Sequence, residues 1–146
     1  MRLIITAITF LLLIACATPY QSDGFMGGFN EVQLAEDSYQ VSFGGNGYTS
    51  TQRAIDFTLL RCADIAIENG YKYFVVLGAE NRTQTSVQSN PGSLNVAPSI
   101  NTVSKPSTTN TITLINERIQ GQFAYEAEIT AKSIRDKYQL SYDPNQ

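Results

Sequence analysis

The chain has 146 residues, 42% hydrophobic and 16% charged, which suffices for one modest core and not for two. Ten basic against 13 acidic residues give a net charge of −3, so no cationic surplus exists to neutralise phosphates and nucleic acid is not expected as a partner. There is no histidine, and the only cysteines are Cys16 and Cys62. This removes the usual neutral-pH base and the commonest metal ligand, and excludes a disulfide framework or a thiolate zinc site. No metal or cofactor is therefore expected. With no nucleophile–base pair to assemble, the chain is not expected to be an enzyme.

The compartment is written in the first sixteen residues. Met1 and Arg2 make a short positive start, and Leu3 to Ala15 form an apolar run without a charge. A bilayer core needs about 20 helical residues to span it, so residues 1–15 read as a signal peptide rather than a permanent span. Leu13-Ile14-Ala15-Cys16 resembles the lipobox of bacterial lipoproteins, with a small residue before the cysteine. The resemblance implies diacylglyceryl transfer to the Cys16 thiol, cleavage between Ala15 and Cys16, and acylation of the new amino terminus. Two or three acyl chains make a stable anchor where one binds reversibly. Ala17 follows the cysteine instead of the aspartate that retains lipoproteins at the inner membrane, which implies the outer membrane with the domain facing the periplasm.

Residues 16–30 are rich in glycine and polar residues and lack a period, so they read as a lipid-anchored tether that lifts the domain off the membrane surface. Phe25, Met26 and Phe29 are apolar for a linker and either dock on the domain, the preferred reading, or lie at the lipid interface. A single domain is expected over residues 31–146. Tyr39 to Phe43 alternates at period two as a half-buried strand, with a shorter partner strand at Glu31 to Leu34 turning through Ala35 to Ser38. Ser50 or Thr51 caps a helix that runs to about Asn69, where Gly70 supplies a left-handed stop. Ile55, Leu59, Leu60, Cys62, Ala63, Ala66 and Ile67 share its apolar face, with Arg53, Arg61, Asp64 and Glu68 opposite. Tyr71 to Leu77 follows as a strand, and the strand–helix–strand crossover predicts a parallel pair.

Residues 81–111 are different material: 19 of 31 are Ser, Thr, Asn or Gln, and none is aromatic. Such a stretch buries too little apolar surface to offset its ordering entropy, so it reads as a low-complexity excursion with strand-like stems. A third strand around Thr111 to Ile115 puts Ile112 and Leu114 on one face. A second helix from Ala124 to Tyr138 carries a buried stripe of Phe123, Ala127, Ala131, Ile134 and Tyr138. The expected class is α+β, a small mixed β-sheet with two helices in the order βαββα.

The segments Cys16 to Gln21, Val41-Ser42-Phe43, Gly45-Asn46-Gly47, Asp56 to Arg61 and Asn69 to Phe74 together resemble a family of small proteobacterial lipoproteins of uncharacterised function. The resemblance spans most of the mature chain except the excursion, and it implies no catalytic residues. The layout also resembles envelope-stress sensor lipoproteins of enteric bacteria, which use structural disulfides that this chain has no cysteine pair to form.

Six residues are candidates for a ligand or partner contact. Gly45, Asn46 and Gly47 lie between a strand and a helix start, where backbone N–H groups either cradle an anion or make a tight turn that needs a positive φ at glycine or asparagine. Asp56 sits at the first turn of the long helix, with Arg53 and Arg61 on the same element, and either binds a ligand or forms an internal ion pair. Cys62 lies on the apolar face as a small core residue. The expected role is a non-enzymatic lipid-anchored envelope protein with a structural or protein-interaction task, and an unidentified envelope protein as partner. The alternative is a small-ligand or anion-binding periplasmic module, or an envelope-stress sensor.

Overall fold

Two hairpins make the sheet. A computed structural model describes residues 17–90 and 99–141; the expected signal peptide at 1–15 and the expected cleavage and acylation site at Ala15 and Cys16 lie outside them. The first hairpin joins β1 (Gly28–Ala35) to β2 (Ser38–Gly44), and the second joins β3 (Tyr73–Asn90) to β4 (Ser99–Ile115). Helix α1 (Thr51–Glu68) connects them, and the short β5 (Tyr125–Glu126) leads into α2 (Ala127–Tyr138). The class is α+β as the sequence indicates. The strand order is β1-β2-β4-β3-β5, and every neighbouring pair is antiparallel.

This corrects the mixed sheet and the parallel pair. Strands β2 and β3 do run in the same direction, but β4 lies between them and pairs with both, Tyr39 with Ile112 and Phe74 with Leu114. β4 runs back antiparallel beside β3, so it fills the place that a direct β2–β3 ladder would need. The alternation then sorts the faces. Tyr39, Val41 and Phe43 of β2, with Thr108, Asn110, Ile112 and Leu114 of β4, point to the core, while Gln40, Ser42, Thr109, Thr111 and Thr113 face away.

The expected excursion at 81–111 is mostly sheet. β3 and β4 stay paired from Tyr73↔Ile115 out to Asn90↔Ser99, with a bulge at Leu77. Its inner part belongs to the core: Thr108 is buried and donates to Asn81 Oδ1 at 3.0 Å, and Asn110 is buried near Cys62. Threonine-rich composition favours disorder in an isolated segment, yet β-branched threonines suit a ladder whose register is held by β2 on one side.

Helix α1 starts where expected. Ser50 Oγ accepts from the Arg53 N–H at 3.1 Å, and Gly70 adopts φ +76° after the Asn69 cap. One side packs on the sheet through Ala54, Leu60, Cys62, Ala63 and Ala66, while Phe57 meets Phe43, Tyr20 and Tyr138 edge-on at centroid distances of 5.0–5.5 Å. Helix α2 lies against α1, burying Ala127, Ala131 and Ile134. Phe123 is not part of that stripe: it precedes the helix and is largely exposed, its ring against Tyr125.

Of the stretch expected to be a tether, Thr18, Tyr20 and Phe29 are held against the domain while residues 22–26 stay exposed. Thr18 is buried; its N–H donates to Thr49 Oγ1 at 3.0 Å and its hydroxyl to the Met26 carbonyl at 2.8 Å. Phe29 enters the core as the second residue of β1, but Phe25 and Met26 do not dock and stay exposed. Gly27 allows the approach: at φ +86°, a Cβ there would stand 2.3 Å from the Gly44 carbonyl oxygen. Tyr20 and Phe29 dock because the flank of α1 offers Phe57, Arg61 and Asp64 as ring contacts and a hydrogen-bond partner, while Thr18 is held by Thr49 and Asn46 of the loop before α1.

Candidate functional site

The glycine loop uses its donors internally. Gly45 N–H donates to the Pro106 carbonyl at 2.8 Å, Asn46 N–H to Thr18 Oγ1 at 2.9 Å, Tyr48 N–H to Asn46 Oδ1 at 3.0 Å, and Thr49 N–H to the Asn46 carbonyl at 3.1 Å. With Arg53 N–H on Ser50, these groups are not directed at a site for an anion. The loop is a hydrogen-bonded turn, but not the expected positive-φ one: none of Gly45, Asn46 and Gly47 has a positive φ, and the glycines are needed there for close approach instead. It also seats the base of the β3–β4 hairpin, since a Cβ on Gly45 would clash with Thr49 and crowd Pro106, and one on Gly47 would clash with Val103.

Asp56 and Arg53 meet α2 instead of each other. The Asp56 carboxylate accepts from Gln52 Nε2 at 2.9 Å, Tyr138 Oη at 2.7 Å and Lys137 Nζ. Partial burial opposes its charge, but these hydrogen bonds and the ammonium outweigh that and hold its pKa below the usual carboxylate value. The Arg53 guanidinium lies over the Phe57 and Tyr138 rings at 4.8 and 5.1 Å. Together they clamp the end of α2 to the start of α1. A carboxylate with a depressed folded-state pKa stabilises fully above its unfolded value of 3.8, and that contribution is lost as pH falls below it. Acid unfolding of Asp56→Asn, followed by circular dichroism, is therefore expected to be less steep below pH 4 than that of the parent, with lower stability at pH 7.

Arg61 and Asp64, expected on the outward face of α1, are both only 7% exposed. Arg61 donates to Glu31 of β1 at 2.7 and 3.0 Å and to Glu68 at 2.8 Å, with its guanidinium 4.7 Å from the Phe29 ring centroid. Burial opposes the Arg61 charge, but the two carboxylates more than compensate and raise its pKa. Asp64 accepts from Tyr20 Oη at 2.6 Å and from Arg135 Nη2 at 2.8 Å through both oxygens. Burial first, then the Asp64 charge, push the Tyr20 phenol up, so it stays a donor. Tyr20, Asp64 and Arg135 thus tie the N-terminal segment, α1 and α2 together. No sequence signal marks this trio, because Asp64 lies 44 residues from Tyr20 and 71 from Arg135.

The candidate residues do not converge. The glycine loop, the Asp56 clamp and the Arg61 cluster each bind different elements of the fold, and each has its partners within the domain. A groove of about 480 Å³ is lined by Ile67, Gly70, Tyr71, Lys72, Tyr73, Glu126 and Glu128 and includes none of the six. Tyr71 packs partly on the core and Tyr73 carries the Arg118 guanidinium over its ring at 5.0 Å, while Phe74 is fully buried. Among the described residues, no three Cys, Asp or Glu side chains stand close enough to share a metal ion, and no helix is long and apolar enough to cross a membrane.

Cys62 is fully buried, and desolvation pushes its thiol up to about 12. In a Cys16→Ser background, a thiol reagent at pH 8 is expected to leave the native protein unmodified and to react fully once urea unfolds it. Fast reaction of the native form would place the sulfur at the surface.

Comparison of the chain with family models, curated proteins and solved structures returns no match.

Proposed function

We propose that the chain is a bacterial lipoprotein of the outer membrane. Its acylated Cys16 anchors a periplasmic, non-catalytic domain that recognises an envelope protein through the β3–β4 hairpin. The anchor rests on the charged start, the apolar run and the Leu13–Cys16 motif. A relation to the small proteobacterial lipoproteins that the sequence resembles belongs to the same proposal.

The observation that carries the interaction role is the outer half of the hairpin. The β2 ladder ends at Gly44↔Ser107 and the β5 ladder at Phe74↔Tyr125, yet β3 and β4 remain paired to Asn90↔Ser99. A two-stranded ribbon about 26 Å long therefore projects past the sheet, at about 3.3 Å per residue. Val87 and Ile100 are exposed on it, and its outer strand edges are unpaired among the described residues. Such a ribbon offers backbone donors and acceptors for strand addition with apolar side chains beside them.

Two experiments test the two halves separately. Cys16→Ser is expected to abolish labelling by a fatty-acid probe in cells and to release the protein from membranes; normal labelling would overturn the anchor. A photo-crosslinking residue at Val87 or Ile100, which share one face of the ribbon, is expected to capture an envelope protein, while one at Lys132 on the exposed side of α2 is not. Capture from α2 alone would overturn the ribbon as the recognition element.

A further inference from the structure

We propose that the domain rests directly on the phospholipid bilayer that holds its anchor, on a face made by Phe25, Met26, Tyr48 and Val103, with Phe25 inserted at the headgroup level. This builds on the acylated Cys16 proposed above. It concerns how the domain is held, a property distinct from recognition by the ribbon.

Chain length sets the constraint. Thr18 is fixed in the domain by bonds to Thr49, Met26 and Asn46. Only Ala17 separates it from Cys16, and two residues of chain span at most about 7 Å. The acylated residue therefore cannot leave the neighbourhood of Thr18, and the acyl chains must enter the bilayer beside it. A folded body on so short a leash touches the surface to which it is tied.

The side chains at that point suit an interface. Thr18 bonds the Met26 carbonyl, so Met26 and the preceding Phe25 stand next to the attachment point. Phe25 is fully exposed and Tyr48 is 76% exposed. Met26 and Tyr48 line a shallow groove of about 360 Å³ with Asn46, Gly47, Thr102 and Val103, none of them charged. Aromatic residues with a polar end are favoured at the headgroup level, and an exposed phenylalanine gains by leaving water. The net charge after cleavage, nine basic against 13 acidic residues, gives no general attraction to anionic lipid, so apolar insertion beside the anchor is the available contact.

The chain has no tryptophan, so a Phe25→Trp variant carries a single indole at this face. The lipidated mature protein is reconstituted into phosphatidylethanolamine–phosphatidylglycerol vesicles, with and without brominated acyl chains. The indole emission is expected to shift to the blue on membrane binding and to lose intensity with brominated lipid, independently of protein-to-lipid ratio. An Ile129→Trp control on α2 is expected to show neither change. Vesicles that float with the Phe25→Trp protein while its emission stays unshifted would overturn this contact alone. A blue shift without bromine quenching would mean that a second copy or another protein covers the face, which also overturns it. Protein that fails to float with the vesicles would overturn the anchor, and this contact with it.

Discussion

Asp64→Ala is expected to destabilise the domain by about 3–5 kcal/mol, because it breaks the largely buried Asp64–Arg135 ion pair and removes the acceptor of the mostly buried Tyr20 hydroxyl. For a domain of this size that corresponds to a fall in Tm of roughly 10–20 °C, measurable by calorimetry. Tyr20→Phe removes one donor and leaves the carboxylate satisfied by arginine, so its cost is expected near 1 kcal/mol. The contrast separates a buried ion pair from a single hydrogen bond. Surface pairs such as Lys132–Asp136, with both side chains largely exposed, are expected to contribute well under 1 kcal/mol. Equal effects of Asp64→Ala and Lys132→Ala would show that Asp64 does not hold three elements together.

Shortening the hairpin is expected to give opposite results at two cut points. Replacing Val87–Thr102 by Asn-Gly closes the ribbon at the Ser86↔Val103 pair with a two-residue turn. The core ladder is untouched, and loop length enters stability only logarithmically, so Tm should hardly move. Cutting Ser86–Ser107 instead removes the buried Pro106, the Ser107 pairing with Gly44 and the acceptor of the Gly45 N–H. Each orphaned buried group costs about 1–3 kcal/mol, so the longer deletion is expected to melt far lower or fail to fold. A short deletion that destabilised as much as the long one would mean that the ribbon tip packs on the domain.

This pair of cut points marks a limit of reading composition. Serine, threonine and asparagine between residues 81 and 111 carry little apolar surface, which favours disorder when the segment is taken by itself. In the fold, β2 supplies a ladder for residues 107–113, and the helix face of α1 covers Thr108, Asn110 and Ile112. Neighbouring strands far away in sequence offset the ordering cost that local composition could not.

The sequence by itself determined the local elements whose signals are local: the Ser50 cap and Gly70 stop of α1, the alternation of Tyr39, Val41 and Phe43, the burial of Phe74 and Cys62, and the α+β class. These follow from side-chain period and backbone freedom within one element. Tertiary structure alone decided the strand order, with β4 between β2 and β3, and the docking of Thr18, Tyr20 and Phe29. It also decided what the polar residues of α1 do. A helical wheel assigns one apolar side to the core and leaves the other to water. Here α1 is covered on several sides, by the sheet, by α2 and by the N-terminal segment, so Asp56, Arg61 and Asp64 became joints between elements. Their partners Lys137, Tyr138, Glu31, Tyr20 and Arg135 lie 30 to 82 residues away. No pattern of spacing along one helix carries that information, because burial of a charge depends on which other element brings its counter-charge.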